Sequence, residues 1–133
     1  DTGWEQTLIA DYINIPIENG QVINTGDAVA ASSVSGRCRA ADAAGGAYPI
    51  FLGMAVVGGT GNVAGTVFAR IQTCGAYRGA SGLTAPGQVY LSTSTPGAVT
   101  TSVPTGSGNV LLRVGMVYSA TAFVISVGPL VTL

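Results

Sequence analysis

The most regular apolar alternation in the chain runs through residues 109–118. Val110, Leu112, Val114, Met116 and Tyr118 fall on one face, and Asn109, Arg113 and Gly115 on the other. A period of two predicts a half-buried strand and fits no helix. Shorter runs at 89–92, 98–103 and 122–127 read as flanking strands. The breakers between them are Pro96-Gly97, suited to the centre of a type II turn, then 105–108 and 119–121. Upstream, residues 64–74 alternate again, with Val67, Ala69, Ile71 and Thr73 opposed to Thr66, Phe68, Arg70 and Gln72. The pattern predicts an all-β protein, a compact antiparallel β-barrel or sandwich of the Greek-key or jelly-roll kind, with about eight to ten short strands.

An internal echo divides the chain. Gly26-Asp27-Ala28-Val29 parallels Gly87-Gln88-Val89-Tyr90, and Leu52-Gly53-Met54 parallels Val114-Gly115-Met116 at a nearly equal distance downstream. Each half then reads as a short strand, a hairpin and a longer strand returning through Gly-Met, where the glycine allows a bulge or a close backbone crossing. The expected organisation is an extended N-terminal arm over residues 1–25, followed by one β domain over 26–133 with halves at about 26–74 and 75–133. The arm only partly alternates, and Pro16 argues against a helix through it. Trp4, Leu8, Ile9 and Tyr12 are its candidate contacts with a partner protein or a neighbouring subunit. The alternative is an N-terminal strand that closes the domain's own sheet.

Composition sharpens the picture. Of 133 residues 47% are hydrophobic and twenty are glycine, while only 8% are charged, against about 25% in ordinary soluble domains. So little charge predicts a surface largely covered by other copies or other proteins. All six acids lie at or before Asp42, and there are five arginines, no lysine and no histidine. Beyond Asp42 the three scattered arginines Arg70, Arg78 and Arg113 are too few for nucleic-acid binding, and no apolar run reaches the eighteen or so residues of a membrane span. Without histidine there is no imidazole base and no His ligand, so neither a His-dependent nucleophile nor a zinc site is expected. Gly58-Gly59-Thr60-Gly61 lacks the lysine and helix of a phosphate loop. No catalytic, cofactor-binding or metal residue is therefore expected. Cys38 and Cys74 form a possible disulfide, worth roughly 3–4 kcal/mol on a chain-entropy argument; two free buried thiols are the alternative in a reducing compartment.

One resemblance carries a functional implication. Residues 82–92, with Pro86-Gly87-Gln88-Val89-Tyr90-Leu91-Ser92, then Thr95-Pro96-Gly97-Ala98-Val99-Thr100-Thr101, then Gly108-Asn109-Val110 and Arg113-Val114-Gly115, resemble a module of tailed-phage virion proteins. That module occurs in capsid decoration (cement) proteins and in head or tail fibre proteins. The likeness covers residues 65–129, and residues 26–57 resemble a shorter version. It implies a non-enzymatic structural role, with the major capsid protein and other copies of the chain as partners. The expected form is a homotrimer on the outer surface of a phage head. The shared residues are scaffold residues, so no site is carried over. Two other functions stay open at this level: a fibre module that binds host glycan through Tyr77, Tyr90 and Tyr118, and a small hydrolase built on a buried carboxylate pair.

Overall fold

Short β-prone runs separated by glycine turns leave the backbone one economical solution, pairing between strands. In the computed structural model, which describes residues 10–46 and 48–133, that pairing produces fourteen strands among the described residues. They are β1 (Tyr12–Pro16), β2 (Val22–Ile23), β3 (Ala28–Ala31), β4 (Cys38–Ala40), β5 (Phe51–Val57), β6 (Gly59–Thr60) and β7 (Phe68–Gln72) in the first half. The second half contains β8 (Ala76–Tyr77), β9 (Gly87–Leu91), β10 (Val99–Thr100), β11 (Val110–Leu111), β12 (Arg113–Ser119), β13 (Ala122–Ile125) and β14 (Val131–Thr132). The count exceeds the expected eight to ten because six of the strands are two-residue ladders. The protein is all-β, two packed antiparallel sheets rather than a closed barrel.

The two five-stranded sheets have orders β1-β7-β5-β3-β4 and β8-β13-β12-β9-β10. These are one topology used twice, and the registers agree residue by residue. Ile13 pairs with Ile71 and Ile71 with Ala55; Tyr77 pairs with Phe123 and Phe123 with Val117. Val29 pairs with Gly53, and Val89 with Gly115. Ala31 pairs with Cys38, and Leu91 with Val99. Both bulges recur as well: Leu52 and Val114 are each an extra residue before the Gly-Met step, and Val56 and Tyr118 each an extra residue after it. The echo seen in the sequence was aligned one residue out at its start, because Val29 corresponds to Val89 and so Asp27, not Gly26, to Gly87. The first half also begins at β1. Residues 12–25 are therefore not a detached arm: Tyr12–Pro16 pairs along its length with β7, and Val22–Ile23 pairs with β6. Residues 1–9 of the expected arm lie outside the described residues.

The bulges correct the reading of residues 109–118. Val110, Leu112 and Val114 are buried as expected, but the extra residue at Val114 turns the following side chains over. Met116 is 42% exposed and Tyr118 50%, while Val117 is buried. The run is also split, since Val110–Leu111 pairs with β14 and Arg113–Ser119 joins the large sheet. In β7, Ala69 and Ile71 point inward as expected, yet Gln72 on the opposite face is also buried. Its amide nitrogen donates to the carbonyls of Cys74 and Ala76, at 3.0 and 2.9 Å, and so meets the requirement that a buried polar group be bonded.

Two apolar clusters result. One lies within the first half and gathers Ile17, Ile23, Val29, Cys38, Ala55, Ala69 and Ile71. Around it the first sheet curls until Ile17, just past β1, makes a parallel bridge to Cys38 on the far edge strand. The other cluster belongs to both halves. Val89, Leu91, Val114, Val117 and Phe123 of the second half pack with Ala28, Ala30 and Met54 on the outer face of the first sheet. The small alanines let that face fit into the second half's interior. The corresponding face of the second sheet carries larger residues, Gln88, Tyr90 and Met116, and Met116 reaches solvent.

Candidate functional site

The duplication makes one difference between the halves conspicuous. Register equivalence matches Ile17 to Ser81 and Cys38 to Val99. In the first half the seam between them is closed: Ile17 bridges Cys38, and the Glu18 N–H donates to the Cys38 carbonyl at 2.9 Å. In the second half the chain after β8 takes another course, with Ala80 N–H donating to Thr121 and Leu83 N–H to Ala120, both at 3.1 Å. A groove of about 300 Å³ remains between Gly79–Ser81 on one side and Ala98–Val99 on the other, with Gly26, Asp27 and Met54 at its base.

Asp27 is the ionisable residue of that groove. Its carboxylate accepts the Asn24 N–H at 2.9 Å, fixing the turn that delivers the chain into β3, and it packs against Gly97 of the opposing turn. A Cβ at Gly97 would stand 2.8 Å from the Asp27 carboxyl carbon, so only glycine lets the two turns meet. Burial raises the Asp27 pKa from its ordinary 3.8, partly offset by the Asn24 hydrogen bond. Tyr77 is raised too, by burial and then by the Asp27 charge. A carboxyl with a raised folded-state pKa penalises folding when ionised, and the penalty disappears as pH falls below the unfolded value. Asp27→Asn keeps an acceptor for Asn24 and removes the charge. It should therefore melt at a higher temperature than the native protein at pH 7, with the difference gone by about pH 3. A lower melting temperature at pH 7 would contradict this.

Two further concavities border the sheets. One of about 370 Å³ is rich in hydroxyls, including Ser92, Ser94, Thr95, Thr100 and Ser102. Several of these are engaged in turns: Ser92 Oγ accepts the N–H groups of Ser94 and Thr95, and Thr100 Oγ1 that of Ser102. The other, about 210 Å³, is apolar and runs between Ile50, Phe51, Leu112, Val127 and Leu130. Ile50, Val127 and Leu130 are 57%, 52% and 43% exposed, with Val131 beside them at 46%. Together they form an exposed apolar strip.

The charged residues are mostly tied to the scaffold. The Arg37 guanidinium donates to the carbonyls of Ile17, Asn62 and Val63 at 3.1–3.2 Å, holding the loop before β7 against the first seam. Arg39 lies 3.6 Å from Glu18 and over the Tyr48 ring at 3.8 Å. Glu18 also accepts the Ser32 hydroxyl, and Asp42 accepts the Ala44 N–H. Arg113 Nε donates to the Ser126 carbonyl, and Arg78 is exposed. Among the described residues no three His, Cys, Asp or Glu side chains gather into a group that could hold a metal ion.

Of the residues singled out from the sequence, Trp4, Leu8 and Ile9 lie outside the described residues. Tyr12 is 44% exposed on edge strand β1, with the Arg70 guanidinium 4.6 Å above its ring. Cys38 and Cys74 are not joined by a disulfide. Cys38 is in the interior of the first half, where burial pushes its thiol up to about 11 and leaves it unreactive. Cys74 sits in the linker beside the Asp11 carboxylate, at 3.7 Å. The three tyrosines do not form one groove: Tyr77 is buried, 5.6 Å from the Phe123 ring, while Tyr90 and Tyr118 lie on the outer face of the second sheet. Sequence reasoning missed the seam and Asp27. No family model, curated protein or solved structure matches the chain.

Proposed function

We propose that the protein is a non-enzymatic virion structural protein, a decoration protein that binds the major capsid protein on the outer surface of a phage head and stabilises the shell. The observation that carries this reading is the distribution of polar chemistry. Arg37, Arg39 and Arg113 and the acids Glu18, Asp27 and Asp42 are engaged in holding loops and turns, Arg70 stacks on Tyr12, and an apolar strip from Ile50 to Val131 is left in solvent. A surface of that kind serves association rather than substrate chemistry. Trimerisation about a closed ring would cover the strip without open-ended growth, and three copies would gain avidity on a repeating shell. Residues 1–9 supply further apolar contacts through Trp4, Leu8 and Ile9.

The test is quantitative mass spectrometry of purified particles. Decoration requires a copy number comparable with that of the major capsid protein; a copy number typical of a tail component would favour the fibre reading. A chain lacking residues 1–9 should retain the native melting temperature, because β1 and its partner β7 are intact, and should bind particles more weakly. Equal binding would remove that segment from the interface. The glycan-binding fibre reading retains one observation in its favour: Gln88, Tyr90 and Tyr118 share the outer face of the second sheet, and the Tyr90 hydroxyl donates to the Gln88 amide oxygen at 2.9 Å. Such a polar-aromatic platform is suited to stacking on a sugar ring.

A further inference from the structure

The first half shows what a filled seam looks like. An extended segment lies parallel to the edge strand, its N–H group bonds to the Cys38 carbonyl, and the Ile17 side chain enters the interior with no exposed surface. The second half has the same edge strand in the same register, with Val99 in the place of Cys38. Its own chain is held away by the hydrogen bonds of Ala80 and Leu83 to the β12–β13 turn. Ser81, standing where Ile17 would be, is exposed. β10 is the last strand of its sheet, so the outward edge at Val99 faces the groove.

We propose that this open seam is a docking site for an extended polypeptide segment of a partner protein, laid along β10 and carrying a basic side chain toward Asp27. Strand addition supplies main-chain hydrogen bonds along an edge, and a side-chain pocket sets the preference. Here the groove's lining contains one carboxylate, Asp27, and no cation. Charge complementarity excludes residues 1–9 of the chain as the favoured occupant, because they carry Asp1 and Glu5 and no arginine or lysine. The site stands on the comparison of the two halves and does not depend on the virion reading.

A peptide copying the segment that fills the first seam is the direct probe. Residues 13–20 would be synthesised in the native form and with Ile17→Arg, the position that matches Ser81 of the groove, and each titrated into the isotope-labelled full chain while amide resonances are followed. The arginine peptide should shift the amides of Gly79, Ser81, Ala98 and Val99 and bind about tenfold more tightly than the native peptide, as expected of one added ion pair in a partly buried site. Asp27→Asn should abolish that preference. Ala98→Arg, which gives Asp27 a cation from within the chain, should abolish binding of the arginine peptide while the folded spectrum persists. Ser81→Trp, which fills the groove, should do the same and gives a second route should either variant fold poorly. Equal affinity of the two peptides, shifts confined to other surfaces, or no shifts at about 1 mM peptide would each overturn the proposal.

Discussion

Gly53→Ala is expected to destabilise the native fold severely, with a large fall in the denaturant midpoint followed by circular dichroism. Gly53 follows the bulge at Leu52, where β5 passes closest to β7. A Cβ there would lie 2.2 Å from the Gln72 carbonyl oxygen and 2.6 Å from an Ile71 methyl. The nearest obstacle is backbone, in the centre of a sheet, so no rotamer change relieves it. Overpacking of this kind costs about 3 kcal/mol or more, a large part of the 5–15 kcal/mol available to a domain. Gly115→Ala, at the equivalent position, meets first a side-chain atom, Phe123 Cδ2 at 2.3 Å, and then the Val124 carbonyl oxygen at 2.6 Å. It should be severe but milder, because a ring can move farther than a strand. Gly20→Ala is the contrasting case. Its turn has φ +80° with nothing within 4 Å, so only the backbone preference is lost, about 1 kcal/mol. Chemical denaturation of the three variants should rank them in that order. A Gly53→Ala protein with native stability would show that β5 and β7 are not so closely apposed.

Phe123→Ala should cost about 3–5 kcal/mol. Phe123 is among the largest fully buried side chains, on β13 between Tyr77 of β8 and Val117 of β12. It is the point where the second sheet meets the cluster shared with Ala28, Ala30 and Met54. Removing the ring leaves a cavity that neighbours on three strands cannot close, since each is held by its ladder. A loss below about 1 kcal/mol, measured by denaturant midpoint at unchanged slope, would mean that the shared core repacks freely.

Much of this scaffold could be read from residue order. Alternation at Val67, Ala69 and Ile71 marked β7 and its buried face. Pro96-Gly97 marked a turn that the structure contains, with Gly97 at φ +82° and the Ala98 N–H bonded to the Thr95 carbonyl. The Gly-Met steps marked the two bulges. Counting by twos then failed at those same bulges, because an inserted residue reverses inside and outside without changing the composition. That is why Met116 was placed in the core and Val117 outside it. The sequence leaves Tyr12–Pro16 open between an arm and a strand that closes the sheet, for a different reason: its partner β7 is more than fifty residues away, and nothing local reports such a pairing. The seam is less readable still, being a contact that one half makes and the other lacks. Extending the internal alignment back from Val29 and Val89 without a gap sets Ile17 against Tyr77; only the strand pairings of β1 and β8, four residues out of step with it, set apolar Ile17 against polar Ser81.

The unequal closure of the two halves also sets an order of assembly during synthesis. A chain leaves the ribosome N-terminus first, and domains tend to fold as they emerge. Once β7 is out, the first half has every residue of its own interior, from Ile17 to Ile71. The second half cannot complete its interior alone, because Ala28, Ala30 and Met54 form one wall of it. The finished first half is therefore the template on which the second condenses. Its early closure also occupies β5 and β7 before β12 and β13, which share their registers, are available to pair with them wrongly.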